Sequence, residues 1–182
     1  PRRMWAGSQI EVFNPIKVGD KVIKKSTVGD IKLKEGRTGL LCFVTAEYDY
    51  LVEDKVKLHE KHNIVYRDVT KAGGGSGFSN SIPEDADVKE KIFMHPTILF
   101  RYSAIGFVGH RIHYDQPYSV NEENYKDLIV HGPLQATYLL RAAEKLTGKT
   151  VKSFSHKVMA PVFANSEYII GAKQNDDGSV SC

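Results

Sequence analysis

Histidine, arginine and aspartate crowd into one short stretch of this 182-residue chain. Phe100 to Asp115 reads Phe-Arg-Tyr-Ser-Ala-Ile-Gly-Phe-Val-Gly-His-Arg-Ile-His-Tyr-Asp, which brings His110, His113, Arg101, Arg111 and Asp115 into one segment. Further along, His131-Gly132-Pro133 heads an apolar run of helical character. A helix start leaves backbone N–H groups without intrahelical partners, and proline is at home in its first turn. An imidazole near its unperturbed pKa can act as a base at neutral pH. Amides at a helix start, aided by the positive end of the helix dipole, can stabilise a developing oxyanion. A base and an oxyanion donor are the minimum for adding water to an activated double bond. Pro133 has no N–H, so Gly132 and Leu134 are the candidate donors. His131 either lines the mouth of such a site or is a helix-entry residue satisfied by backbone.

His110 and His113 stand three residues apart, a spacing that would allow a metal pair. No third ligand at plausible spacing accompanies them, so no metal is expected. Both could equally be structural hydrogen-bonding groups. Tyr102, Phe107 and Tyr114 read as walls of a channel or core.

The elements that must position these groups fall into two halves. In the first, Gln9–Pro15, Lys21–Leu33, Leu40–Val52 and Val56–Tyr66 alternate or are rich in β-branched and aromatic residues, with glycine turns between them. They predict one antiparallel sheet and no amphipathic helix. Pro1–Ser8 reads as a basic, aromatic lead-in turn, with Trp5 covering a core edge. His59 and His62 read as solvent-facing. Residues 70–87 are dominated by glycine and serine and predict a flexible linker between a half at 1–69 and a half at 88–182. After a short charged run at Val88–Phe93, Pro96–Ser103 reads as a strand. Asn121–Leu128 reads as a loop or short helix. Pro133–Leu146 carries apolar residues all round and predicts a largely buried helix, closed by Gly148. Val151–Val162 and Glu167–Lys173 read as strands, with Asn175–Gly178 a hairpin turn. The class is α+β, with antiparallel sheet wrapped around a buried helix, and the first half lacks a helix of its own in this chain.

Composition bounds the function classes. Hydrophobic and charged fractions of 41% and 26% are those of an ordinary soluble protein, and a net charge of +3 without any lysine-arginine run gives no reason to expect nucleic acid. No apolar stretch reaches membrane-spanning length. Cys42 lies in an apolar run and Cys182 is terminal, which favours free thiols and a reducing compartment over a disulfide. Beginning at Pro1 with no signal-peptide pattern, the chain reads as trimmed or processed, and secretion is not expected.

Six short segments in order, Arg2–Gly7, Lys34–Gly39, Ile64–Asp68, Phe100–Ala104, His110–Asp115 and Val130–Thr137, resemble the double hot-dog, MaoC-like dehydratases. Within that superfamily the likeness is to mitochondrial type 2 3-hydroxyacyl-thioester dehydratases and bacterial mesaconyl- or itaconyl-CoA hydratases. The resemblance implies a double hot-dog fold with the site in the second hot dog. It implies a hydro-lyase that interconverts 2-enoyl and 3-hydroxyacyl thioesters of coenzyme A or acyl-carrier protein, without metal or redox cofactor. The superfamily motif places its catalytic histidine at His113, its asparagine at His110 and its aspartate at Val108. Valine can neither accept a proton nor orient water, so the second role passes to His110 or Asp115, or activity is reduced. Arg101 and Arg111 could hold a carrier's phosphates or a substrate carboxylate, or lie solvated. Such an enzyme would work in a bacterial cytoplasm or a mitochondrial matrix, and pairing of exposed sheet edges into a homodimer is open to it. A hot-dog thioesterase, or a degenerate subunit that only binds acyl thioesters, would share the same fold.

Overall fold

The computed structural model describes residues 2–36, 39–67 and 84–182. Its elements in chain order are β1 (Arg2–Val12), β2 (Ile23–Gly36), β3 (Gly39–Val52), β4 (Lys55–Arg67), β5 (Val88–Phe93), α1 (Pro96–Ile105), α2 (Gly132–Thr147), β6 (Ser153–Lys157), β7 (Glu167–Gln174) and β8 (Val180–Ser181). They form two compact units, one of Pro1–Lys71 with Val151–Val158 and one of Ala72–Thr150 with Met159–Cys182.

The first unit is one antiparallel sheet in the order β2-β3-β4-β1-β6, with no helix among its described residues. β3 and β4 are joined by a two-residue hairpin whose Glu53 and Asp54 both have positive φ, 50° and 60°. That is the primed-turn geometry whose twist matches the strands it connects. Leu51, Val52, Ile64 and Val65 are buried at the sheet's core. The lead-in expected at Pro1–Ser8 is strand instead. β1 begins at Arg2 and pairs along its length with β4, starting at Arg2↔Arg67. Its bulge between Trp5 and Gly7 lets Gly7 approach β6 so closely that a Cβ there would stand 2.0 Å from the His156 carbonyl oxygen, at φ 144°. Only glycine fits.

β6 is the second departure from chain order. It follows α2 in sequence yet pairs with β1, from Gly7↔Lys157 to Glu11↔Ser153, and Val151–Val162 is strand only over those five residues. His59 and His62 also differ from expectation. Their side chains are 23% and 22% exposed, and their Nδ1 atoms lie 2.7 Å from Asp49 Oδ1 and 2.9 Å from Glu60 Oε1. Ser8 donates to the same Glu60 oxygen at 2.7 Å and accepts from Trp5 Nε1 at 3.2 Å. His62 thus belongs to a polar knot on the sheet with Glu60, Ser8 and Trp5, and His59 pairs separately with Asp49. The interval 70–87 lies mostly among residues 68–83, outside the described residues.

In the second unit β5, β7 and β8 form a three-stranded antiparallel sheet, with α2 packed on β7 through Ala142, Ile170 and Ala172. The Pro96–Ser103 segment is helix rather than strand. Pro96 sits in the first turn, where its missing N–H costs nothing, and the extended His95 accepts the Thr97 N–H on its Nδ1 at 3.2 Å. Leu99 and Ser103, four apart and therefore on one helical face, are the buried pair. Leu99 joins Met94, Leu128, Val130, Leu134 and Ala164 in the unit's main core. Burying such a leucine completely contributes about 2–3 kcal/mol.

α2 ends as its glycine predicts, with Gly148 left-handed at φ 65° and its N–H on the Glu144 carbonyl. It is not buried all round. Leu134, Ala136 and Ala142 are buried, while Pro133, Thr137, Arg141 and Glu144 form an exposed stripe at three- and four-residue spacing. The 121–128 interval contains the end of a π-helical turn, Tyr118–Glu122, and then irregular chain.

Candidate active site

The second unit brings the histidine segment to the start of α2. After α1 ends at Gly106, the chain turns through Phe107, at φ 50°, and reaches a single 3₁₀ turn at Arg111–His113. The Ile129 N–H bonds the Ile112 carbonyl at 2.9 Å, and Val130 and Ala164 bond the Val162 and Leu128 carbonyls. The segment 128–130 is thus held on both sides, and it delivers His131 to the N-cap of α2. Asp127 secures its base, accepting the Leu128 N–H at 2.7 Å and the Asn165 side-chain amide at 3.0 Å.

His113 and His131 stack, with ring centroids 3.7 Å apart and planes 18° apart. Both are buried, at 9% and 2% exposure. His113 Nδ1 lies 2.7 Å from the Ile129 carbonyl oxygen. A carbonyl can only accept, so Nδ1 carries the proton and the neutral ring keeps its lone pair on Nε2. Burial pushes the His113 pKa down to about 4, helped by His110 and opposed by the Ile129 hydrogen bond. Burial, then His113 and His110, push His131 down to about 3. Desolvation disfavours the charged form of both rings, so both are neutral at physiological pH.

His131 Nε2 is 2.8 Å from Ser103 Oγ, and the Tyr102 ring stands 4.9 Å from the imidazole. His110 lies edge-on to His113 at 5.6 Å, on the exposed side of the turn. At the helix start, the Gln135 N–H is bonded to the His131 carbonyl, while Gly132 and Leu134 occupy the first turn, where amides lack an i−4 partner. Beside this group a hollow of about 320 Å³ opens, lined by Phe100, Ser103, Phe107, Val108, Gly109 and Tyr114 among others.

The predicted residues therefore divide. His113, His131 and His110 come together next to Gly132 and Leu134. Asp115 does not join them. Its Oδ2 takes Arg111 Nε and Nη2 at 2.9 and 2.7 Å, and its Oδ1 accepts the Tyr118 N–H at 3.1 Å. Arg111 also lies over the Tyr118 ring at 4.1 Å, so its guanidinium is engaged locally. Arg101 is exposed on α1. Ser103 and Tyr102 were not singled out from the sequence as partners of His131. Reading Pro96–Ile105 as helix would have placed Ser103 on the face of Leu99, the one signal that pointed to it. Among the described residues, no group of three or more His, Cys, Asp or Glu side chains is placed to hold a metal ion, and no helix is long and apolar enough to cross a membrane.

The chain is similar over 97% of its length, at 34% identity, to the mesaconyl-C(4)-CoA hydratase of Chloroflexus aurantiacus, and spans 63% of that protein. Over 48% of its length it is 36% identical to the mitochondrial hydroxyacyl-thioester dehydratase type 2 of Schizosaccharomyces pombe, of which it spans 29%. It thus covers less than two thirds of either relative. Among solved structures, HtdX of Mycobacterium tuberculosis matches 97% of this chain and 68% of its own, with TM-score 0.75 and 21% identity. A second Mycobacterium tuberculosis protein, described as having a double hot-dog fold, matches 96% of this chain and 65% of its own, with TM-score 0.60 and 12% identity. These likenesses establish the α+β hot-dog architecture. The family profile described as hydroxyacyl-thioester dehydratase type 2 matches residues 1–164, and the chain belongs to that family.

Proposed function

We propose that this chain carries the acid–base site of a hydro-lyase that interconverts 2-enoyl and 3-hydroxyacyl thioesters. The observation that carries the reading is the neutral His113, its Nδ1–H held by the Ile129 carbonyl and its Nε2 left as the basic atom, stacked on His131 at the head of α2. In the hydration direction His113 Nε2 takes a proton from water as the oxygen bonds to the β-carbon. The electron pair of the double bond moves toward the thioester oxygen, where amides of Gly132 and Leu134 and the helix dipole stabilise the enolate. The proton then passes to the α-carbon, so water adds across the bond and the thioester stays intact. Dehydration reverses each step. His110 is the candidate for ordering the water. Asp115, tied to Arg111 and Tyr118, shapes the turn.

The substrate is an acyl thioester of coenzyme A or of an acyl-carrier protein, and the chemistry needs no metal or redox cofactor. Arg101 remains available for a carrier phosphate or a substrate carboxylate of the mesaconyl kind.

Loss of the enoyl-thioester absorbance with crotonyl- and mesaconyl-type substrates tests the reading, with a thiol-trapping reagent in parallel. Wild-type turnover without thiol release is expected, and His113→Gln should lower kcat by about a hundredfold or more. Unchanged turnover in that variant would remove His113 from the mechanism. Thiol release would convert the reading to a thioesterase, and binding without turnover would convert it to a degenerate acyl-binding subunit.

A further inference from the structure

Ser103 is a buried polar group that the chemistry above leaves unused. It is 6% exposed, and its Oγ lies 2.8 Å from His131 Nε2. A helical hydroxyl commonly turns back to the carbonyl four residues earlier. Thr137 and Thr147 do this in α2, bonding the Pro133 and Ala143 carbonyls at 2.9 Å. Ser103 instead reaches out of α1 to an imidazole on another element.

The polar inventory gives the direction of that bond. His131 Nδ1 is buried and has no hydrogen-bond partner among the described residues. Were Nε2–H the donor, both the serine hydrogen and the Nδ1 lone pair would be left unpaired in the interior. With the hydroxyl donating to Nε2, one N–H is left. The second arrangement strands fewer groups and is favoured.

We propose that Ser103 is a positioning residue for the acid–base site: its hydroxyl donates to His131 Nε2, fixes the His131 proton on Nδ1, and holds that ring flat against His113 so that His113 Nε2 stays open as the base. The functional half of this inference rests on the hydro-lyase reading; the hydrogen bond and tautomer do not. A bond donated to the lone pair of a neutral imidazole favours the neutral form, because protonation would reverse it and leave the serine hydrogen unpaired in the interior. The titratable groups facing His131 are His113 from the 3₁₀ turn, His110 from the loop before it and Tyr102 from α1, and none is a carboxylate. Without the Ser103 hydroxyl, His131 would take up a proton at higher pH. Its charge would then sit 3.7 Å from the ring of the proposed base.

Ser103→Ala and Ser103→Thr, made in the whole chain, test this by nitrogen-15 NMR of the imidazoles and by the pH profile of enoyl-thioester hydration. Wild type should show His131 protonated at Nδ1 and bare at Nε2 near neutral pH. In Ser103→Ala the His131 titration and the acid limb of kcat/KM should both move to higher pH. Its kcat should fall by about ten- to a hundredfold, with KM within about twofold. Ser103→Thr, which keeps the hydroxyl, should leave the limb where wild type has it. Loss of packing alone would lower kcat without moving the limb. A wild-type His131 protonated at Nε2, or an acid limb unmoved in Ser103→Ala, overturns the proposal. The NMR arm needs no turnover. Should the alanine variant not fold, the wild-type tautomer still decides; should wild type not hydrate enoyl thioesters, the hydro-lyase reading fails separately.

Discussion

Two neutral imidazoles stacked in the interior should make this protein acid-sensitive in a way that a single substitution can isolate. The unfolded-state reference for each histidine is 6.5, against about 4 for His113 and about 3 for His131 in the folded protein. Folded values below the unfolded one mean that the unfolded chain takes up protons first as pH falls. Stability from these groups is complete above about pH 7, declines as pH drops through 6.5, and levels off only below the folded values of about 4 and about 3. At about pH 5 each ring costs about 2 kcal/mol relative to about pH 8. Replacing His131 by Gln removes one titrating ring and keeps an amide that can meet Ser103. The variant should be less stable than wild type at about pH 8, by about 1–3 kcal/mol, through lost stacking and packing. Between there and about pH 5 the wild type should surrender about 2 kcal/mol that the variant keeps, so the gap narrows by that amount. Urea titrations followed by circular dichroism at several pH values measure it, the second unit's transition being the relevant one. A gap that stays constant with pH would mean that His131 is not held neutral, and the stacked pair would need another account.

Because His113 stays neutral down to about pH 4, kcat/KM for hydration should hold through about pH 5 and lose its acid limb only below it; a limb at about 6.5 would mean a solvated base. Gly7→Ala drives a Cβ into the His156 carbonyl at positive φ, and should cost about 3 kcal/mol or more by urea denaturation, with β1–β6 amide protons losing protection from hydrogen exchange. Asp115→Ala should lower the melting temperature more than Arg111→Ala, because both break the ion pair and only the first removes the acceptor for the Tyr118 N–H; equal losses would mean that the Arg111 contact with the Tyr118 ring contributes as much as that hydrogen bond.

The parts of the fold legible in the sequence were those whose partners are close in sequence. Leu40–Val52 and Val56–Tyr66 alternate toward a sheet that their own hairpin closes, and α2 announced both ends with Pro133 and Gly148. The fold-level resemblance supplied the hot-dog architecture. β6 was legible as strand but not in its place, because its pairing with β1 spans about 150 residues and leaves no periodic trace in either segment. Pro96–Ser103 failed for a local reason. Ile98, Leu99 and Phe100 run consecutively and suit a buried strand or a buried helix equally, and His95 is outside the usual N-cap set. That misreading hid Ser103, whose significance depends on a helical face. His113 and His131 were found through motif and helix-start logic, but nothing in their spacing said that the two rings would stack.

The pairing of Asp115 with Arg111 has a consequence for how a hydro-lyase could work here. A base whose conjugate acid titrates at about 4 is fully available at neutral pH, yet it pulls weakly on a water proton. A carboxylate at hydrogen-bond distance would strengthen it. In the second unit the carboxylate that sequence placed nearest His113 is occupied by a guanidinium and a backbone amide, and Val108 brings none. His113 donates instead to a backbone carbonyl, which orients the ring and adds little charge. In the proposed mechanism the larger part of the acceleration would then fall to the other half of the site, the first-turn amides and dipole of α2, which would lower the cost of the enolate and so acidify the reaction from the substrate side. On that logic Val108→Asp, by bringing a carboxylate toward the His113 turn, should raise the pH of the acid limb, while any change that frays the start of α2 should lower kcat with the limb in place. Opposite signatures from the two ends would show that base strength and oxyanion stabilisation are separable in this fold. A carboxylate at 108 that left the limb at about 4 would place the residue out of electrical contact with His113, and the division of labour between base and oxyanion donors would lose its support.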